Sequence, residues 1–309
     1  MEACASSCEL RAASGRYNRT VSIEAAPVSA PSVGGAIGEL LRYWRAARRM
    51  SQLDLSLDAG ISTRHLSYIE TGRAQPSREM VLRLATSLQV PLRERNTLLL
   101  ASGYAPLYRE NQLDAPELED ARRAIEFILA QQEPYPAFVV DRHWNLLMAN
   151  RGMQRFLSLF PQGDLPGRPN VIRMVFHPEG LRPHIANWED LAGRLIQRVH
   201  REAASNPSDV GMIAFRDELL GYPGVPGRWR VPDPDGPPVA YFTIDYRWKQ
   251  RLLRVFAAIT TFGTPQDLTL QELRIESFFP ADEFTRTFLN GAITSEVMAL
   301  LPDSPHDQR

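Results

Sequence analysis

Gln52-Leu-Asp-Leu-Ser-Leu-Asp-Ala-Gly-Ile-Ser-Thr-Arg-His-Leu-Ser-Tyr-Ile-Glu70 decides the fold of the N-terminal part of the chain. It predicts two short helices, from about Ser51 to Asp58 and from about Thr63 to Glu70, hinged at Gly60. Leu53, Leu55 and Leu57 supply apolar material, and Ser56 is small enough to let the second helix cross closely. Gly60 suits the tight turn, because a positive φ costs least without a Cβ. Ser62 is placed to cap the second helix by accepting an orphan backbone N–H. Leu66 and Ile69, spaced i, i+3, anchor that helix inward. Thr63, Arg64, Ser67 and Tyr68 are left on the outer face, a polar surface with one arginine that suits the DNA major groove.

The flanks extend the pattern. Ile37, Leu40, Leu41 and Trp44 form the inward stripe of a helix from Ile37 to Met50, with Arg42, Arg45, Arg48 and Arg49 around the rest. Gly72 to Ser77 reads as a loop, and Ser77 caps a fourth helix through Leu88, whose inner face is Val81, Leu82, Leu84, Ala85 and Leu88. Pro91 opens a fifth helix that runs to Ala101 and stops at Gly103.

Arg45, Gln52, Ala59-Gly60, Leu66, Ile69-Glu70-Thr-Gly-Arg73, Pro76 and Leu84-Ala85 together resemble the Cro/repressor-type, or XRE-like, helix-turn-helix family over Gly35 to about Gly103. The resemblance implies an all-α five-helix, lambda-repressor-like DNA-binding domain. It implies base contacts from Thr63, Arg64 and Ser67, with His65 and Tyr68 beside them. Gln52, Arg73 and Arg78 fall where phosphate contacts are made, positioning the protein rather than specifying sequence. It also implies a structural pair between Arg45 and Glu70. Arg64 is the sharpest base-reading candidate, because an arginine fork matches guanine O6 and N7; its alternative is a phosphate contact.

The length, 309 residues, calls for a second domain, and an apolar fraction of 44% allows it a full core. Net charge is −1, but the distribution is uneven. Gly34 to Gly103 carries ten Arg against six Asp plus Glu, a local +4, so the remainder is acidic on balance and ill suited to nucleic acid. Lys249 is the only lysine, which reads as a bias of a high-GC bacterial genome. Cys4 and Cys8 are too few for a disulfide framework, and no neighbouring His or Cys completes a metal site. No stretch approaches a membrane-spanning length, and Met1 to Val33 lacks the features of a secretory signal, so a cytoplasmic protein with no membrane partner is expected. Residues 1–33 read as a disordered extension or a misplaced start, 34–103 as the DNA-binding domain, 104–116 as a linker, 117–301 as a second domain and 302–309 as a polar tail.

The second domain opens with a helix from Glu117 to Gln131 that can lever one domain against the other. Ala137 to Asn150 then reads as strand, turn and returning strand, with Asn150 capping a helix that holds Met153, Phe156, Leu157 and Phe160. Trp188 to His200 and Asp209 to Leu220 read as helices, and Gly221 to Pro238 as loop. Three strands are expected over Val239 to Tyr246, Leu252 to Thr261 and Leu268 to Phe279, as a half-buried antiparallel meander, followed by a closing helix from Thr285 to Leu300. Strand, turn, strand, helix resembles the start of a PAS-type sensor. The Phe138 to Asn150 hairpin, Asn170-Val-Ile-Arg-Met-Val-Phe-His-Pro178, the Trp188 helix and the Leu270 to Phe279 strand together resemble the ligand-binding domain of MmyB-like regulators. That resemblance implies an α+β, PAS-like domain with an antiparallel sheet, and a small apolar ligand, with a fatty acid as one candidate.

Sequence signatures of catalysis are missing: no nucleophile elbow, phosphate-cradling loop, His-Glu-x-x-His or dinucleotide fingerprint occurs. The chain therefore reads as no enzyme, with no cofactor and no metal. Phe138, Leu146, Asn150, Phe156, Phe176, Phe242 and Phe256 are candidates for a ligand pocket, and Arg173 or Arg151 for a ligand carboxylate. The whole predicts a bacterial, homodimeric, sequence-specific transcription regulator. Two heads on a two-fold axis would read a palindromic operator in double-stranded DNA. The alternative is a constitutive repressor whose second domain serves only dimerisation or protein docking.

Overall fold

The computed structural model describes residues 33–165, 167–205, 209–233, 243–263 and 267–291. Five helices come first: α1 (Val33–Ala47), α2 (Gln52–Asp58), α3 (Thr63–Glu70), α4 (Arg78–Ser87) and α5 (Leu92–Ala101). Their starts follow from cap chemistry. Ser51 and Asp54 form a reciprocal capping box on α2, the Ser62 hydroxyl accepts from His65 N on α3, and the Ser77 hydroxyl accepts from Met80 N on α4. Ile37, Leu41, Trp44, Leu55, Leu66, Ile69, Leu84 and Leu98 meet in one core.

Two local features set the α2–α3 angle. Gly60 takes φ +64° at the turn. The Ser56 hydroxyl, buried, lies 3.0 Å from the Thr63 hydroxyl and ties the two helices together. Of the three leucines expected to give α2 its apolar material, Leu53 and Leu57 are 56% and 72% exposed. They are four residues apart and share one face of α2, while Leu55, midway between them, points the opposite way into the core.

The rest of the chain is an α+β unit. After a 3₁₀ turn at Pro116–Leu118 come α6 (Glu119–Gln131), β1 (Ala137–Val140), β2 (Leu146–Ala149), α7 (Arg151–Ser158), α8 (Val171–Phe176), α9 (Trp188–Ser205) and α10 (Val210–Gly221). Then follow β3 (Thr243–Trp248), β4 (Arg251–Thr260), α11 (Leu268–Glu272), β5 (Arg274–Pro280) and α12 (Glu283–Leu289). The sheet runs β2-β1-β5-β4-β3, with every neighbouring pair antiparallel. This is the antiparallel sheet of the expected PAS-like α+β class. The main core lies between one face of the sheet and α7 to α10, and α6 covers the other face with Ile125 and Leu129 against Val139 and Ile275.

Three expectations need correction. Leu268 to Glu272 is a short helix, not the start of a strand: the Asp267 carboxylate accepts from Thr269 N and caps it, and β5 begins only at Arg274. The Gly221 to Pro238 loop contains a 3₁₀ turn at Gly227–Arg230 that buries Trp229. The closing helix is described from Glu283 to Leu289, earlier than expected. The remainder of that expected helix, residues 1–32 and the first positions of the Val239 strand lie outside the described residues.

Candidate functional site

The candidate DNA face is built on a buried carboxylate. Glu70, at the end of α3, is 2% exposed and accepts from Arg45 Nε at 2.8 Å, Arg45 Nη2 at 3.0 Å and Gln52 Nε2 at 2.8 Å. Arg45 also donates to the Met50 carbonyl at 3.1 Å. One acid thus fixes α1, the start of α2 and the end of α3. The Gln52 amide has a second hydrogen, so its bond to Glu70 orients it without using its capacity for a phosphate.

Gly38 lets α1 approach that junction. A Cβ there would stand 2.3 Å from the Glu70 carbonyl oxygen, so the two helices touch backbone to backbone. The sequence signal was available, since a glycine inside an amphipathic helix asks for a packing reason.

On α3, Arg64 is exposed and Thr63, His65, Ser67 and Tyr68 are half-buried. Arg64 Nε donates to the Tyr68 hydroxyl at 3.0 Å, and its guanidinium lies over the Tyr68 ring at 5.4 Å. The Arg64 terminal nitrogens carry no hydrogen bond among the described residues and remain available for a base edge. Thr63, expected to face outward, is partly engaged with Ser56. Arg73 and Arg78 are exposed beside this face.

The second site is a cavity of about 960 Å³ between the sheet and α8 and α9. Its apolar walls include Phe138, Ile172, Leu191, Trp229, Ile244 and Phe278. Arg194, Arg198, Arg201 and Arg228 add basic groups, and Asp190, Asp233 and Glu276 acidic ones. Of the expected pocket residues, Phe138 lines it. Phe242 lies outside the described residues.

The others have structural work elsewhere. Phe156 packs edge-to-face with Phe160, Tyr246 and Phe278. Phe176 is fully buried beside Trp188 and Trp229, and Phe256 stacks on Phe279. Leu146 is half-buried and packs against the main core. Asn150 holds backbone: its oxygen accepts from Ala137 N and Met153 N, and its amide donates to the Leu129 and Tyr135 carbonyls. Arg173 grips Glu218 at 2.7 and 2.9 Å rather than facing a ligand, and Arg151 is exposed.

Trp144, missed by the sequence reading, also lines the cavity. It sits at φ +68° in the β1–β2 turn, which the Asp141 carboxylate organises by accepting from His143 N and Asn145 N. The Arg198 and Arg274 guanidinia lie over its ring at 4.4 and 4.6 Å, and its indole N–H donates to Glu202 at 2.9 Å.

Arg274 stands two residues from Glu272, which contacts the helical head. Arg93 of α5 donates to Glu272 at 2.7 and 2.8 Å and to Glu110. Gln271 accepts from Leu92 N at 3.0 Å, capping an α5 whose own N-cap, Pro91, offers no side-chain acceptor. Tyr43 of α1 donates to the Ala204 carbonyl of α9 at 2.9 Å. Beside this junction Arg142 bonds Asp209, the α10 cap, at 2.8 Å.

A family model described as the MmyB-like transcription regulator ligand binding domain matches residues 121–291, and a helix-turn-helix model matches residues 41–95. The first spans more than half of the chain, and the chain belongs to the MmyB-like transcription regulators. It is a DNA-binding transcription regulator whose second part is a ligand-binding domain.

Among solved structures, the restriction-modification controller protein C.AhdI from Aeromonas hydrophila is 32% identical, over 19% of this chain and 91% of that one, with a TM-score of 0.19. The clp gene regulator ClgR from C. glutamicum is 24% identical, over 24% and 92%, with a TM-score of 0.22. The PAS domain of Bordetella pertussis BvgS is 13% identical, over 58% and 99%, with a TM-score of 0.24. No curated protein matches. Among the described residues no helix is long and apolar enough to cross a membrane, and no group of three His, Cys, Asp or Glu could hold a metal ion.

Proposed function

We propose that the protein is a homodimeric repressor or activator that reads a palindromic operator with α3 and changes its DNA affinity when a small apolar molecule fills the cavity. The observation that carries this reading is the short path from cavity to head. Trp144 lines the cavity and packs on Arg274, and Glu272, two residues earlier, holds Arg93 of α5. A ligand that shifts the Trp144 ring has different contacts with two placements of α11, which is the condition for shifting the head.

Arg64 is assigned to a base edge, with Thr63, His65, Ser67 and Tyr68 beside it. Gln52, Arg73 and Arg78 are assigned to phosphates. The cavity has room for an alkyl chain, with the polar end of the ligand towards the charged groups that line it.

The test is mass spectrometry of an organic extract from freshly purified protein, beside the variant Ala257→Trp, which puts a bulky ring on a cavity-lining position. A stoichiometric apolar molecule in the wild type, lost from the variant, is expected. An empty extract, together with no change in melting temperature on adding C10 to C16 fatty acids and alcohols, would instead assign the second domain to dimerisation or protein docking.

A further inference from the structure

One charged group of the cavity is used by nothing described so far. Glu276 lies on β5, paired with Phe138 of β1 and Ile259 of β4, and all three line the cavity. It is 9% exposed. Its carboxyl makes no hydrogen bond among the described residues. The charged and titratable groups that face it are Arg198 and Glu202 of α9, Arg274 of its own strand and the Tyr246 phenol of β3.

Both arginines are turned elsewhere. Arg198 donates to Glu202 and lies over Trp144, and Arg274 also bonds Glu202 and lies over the same ring. A buried carboxyl without a partner costs stability. Here it is kept where a bound molecule is the partner that can reach it.

We infer that Glu276 is the polar anchor of the ligand site and that the ligand carries a hydroxyl group on an apolar body. The inference rests on the proposed reading that the cavity holds a ligand. A hydroxyl suits Glu276 in either protonation state, donating to the carboxylate and accepting from the acid. A ligand carboxylate there would place a second negative charge against the first in an apolar enclosure. An ammonium would meet Arg198 and Arg274. An ether or an ester can only accept, and so serves only the protonated form. Burial lifts the Glu276 carboxyl to about 7, so both forms are populated near neutral pH.

The test is titration calorimetry of the full chain at about pH 8.5, where the carboxylate form dominates, with three probes that share one alkyl body: 1-decanol, its methyl ether and decanoate. In the wild type the alcohol is expected to bind at least tenfold more tightly than either of the others. Glu276→Leu removes that advantage. Glu276→Gln, whose amide both donates and accepts, keeps most of it. Both variants should melt at or above the wild-type temperature, which separates lost recognition from lost folding. Equal affinity for alcohol and ether, or tightest binding by decanoate, overturns the assignment of Glu276 and leaves the cavity as a ligand site. Binding of none of the three overturns both.

Discussion

Arg93 and Glu272 hold each other through two bonds, 2.7 and 2.8 Å long, across the junction between the helical head and the sheet domain. A second carboxylate, Glu110, takes both terminal nitrogens of the guanidinium, at 2.8 and 2.6 Å. The bonds to Glu272 and then Glu110 push the Arg93 guanidinium above its ordinary range, so the arginine keeps its charge at any working pH.

Replacing Arg93 with Ala leaves Glu272 with Arg142 at 3.8 Å. Because both partners are about one-fifth exposed, the stability cost should be modest, about 1–2 kcal/mol. The functional effect should be larger. In the Arg93→Ala variant, operator affinity should stay within a few-fold of wild type, while its response to an added ligand disappears. Fluorescence anisotropy on operator DNA, with and without ligand, reads both. A retained response would move the coupling to the Tyr43–Ala204 contact.

Arg64→Ala should cost about 1–3 kcal/mol on cognate DNA and relax the preference at one base pair. The comparison is binding to operator and to random DNA at the same salt concentration. Equal weakening on both would leave Arg64 as a phosphate contact.

Arg45→Ala strips Glu70 of two of its three side-chain donors and leaves a buried carboxylate with Gln52 alone. The expected loss is about 3 kcal/mol, at the lower end for a broken buried pair because Arg45 itself is 20% exposed. Urea unfolding measures it. Adding Glu70→Gln to the same chain should recover part of the loss, since the orphaned charge is then gone. No recovery would show that the cost came from packing of the arginine stem.

The unliganded protein should lose stability as pH rises through neutrality. Glu276 has a folded value of about 7 against an ordinary 4.5, raised by burial. A group raised in this way contributes fully below its ordinary value, and the contribution is lost as pH climbs through 7. The span corresponds to roughly 3 kcal/mol. Denaturation midpoints of wild type and Glu276→Gln, followed from about pH 4.5 to about pH 8, should diverge with the variant becoming the more stable. Parallel curves would mean the carboxyl is solvated.

Much of the head was legible because its signals are local. Ser62 and Ser77 each cap the helix that follows, and Leu66 and Ile69 repeat at helical spacing. Glu70 could be paired with Arg45 only through the family resemblance, since the two lie 25 residues apart. The hairpin ending at Asn150 was legible for the same local reasons.

The cavity was not. Strand alternation tells which side chains share a face, but not which of them fill space with one another. Phe156 and Phe160 consume each other in edge-to-face packing at 5.2 Å, while Trp144, Glu276 and the α9 arginines border open volume. Leu268-Thr-Leu-Gln-Glu272 alternates like a strand. It becomes a helical turn because Asp267 caps it and because Gln271 and Glu272 find partners on α5.

The cap that Gln271 places on α5 also fixes where this regulator can be cut and rejoined. Helix α5 packs with the head through Leu98 and Leu99, yet its first turn is completed by the other domain. A hybrid joined after Gly103, with a foreign head, would bring an α5 that lacks an arginine to meet Glu272 and a register to meet Gln271. A hybrid joined before Pro91 keeps that docking turn with its own partner and leaves only the α4–α5 packing to be matched. The modular seam of the chain therefore runs through the head, one helix earlier than its apparent end.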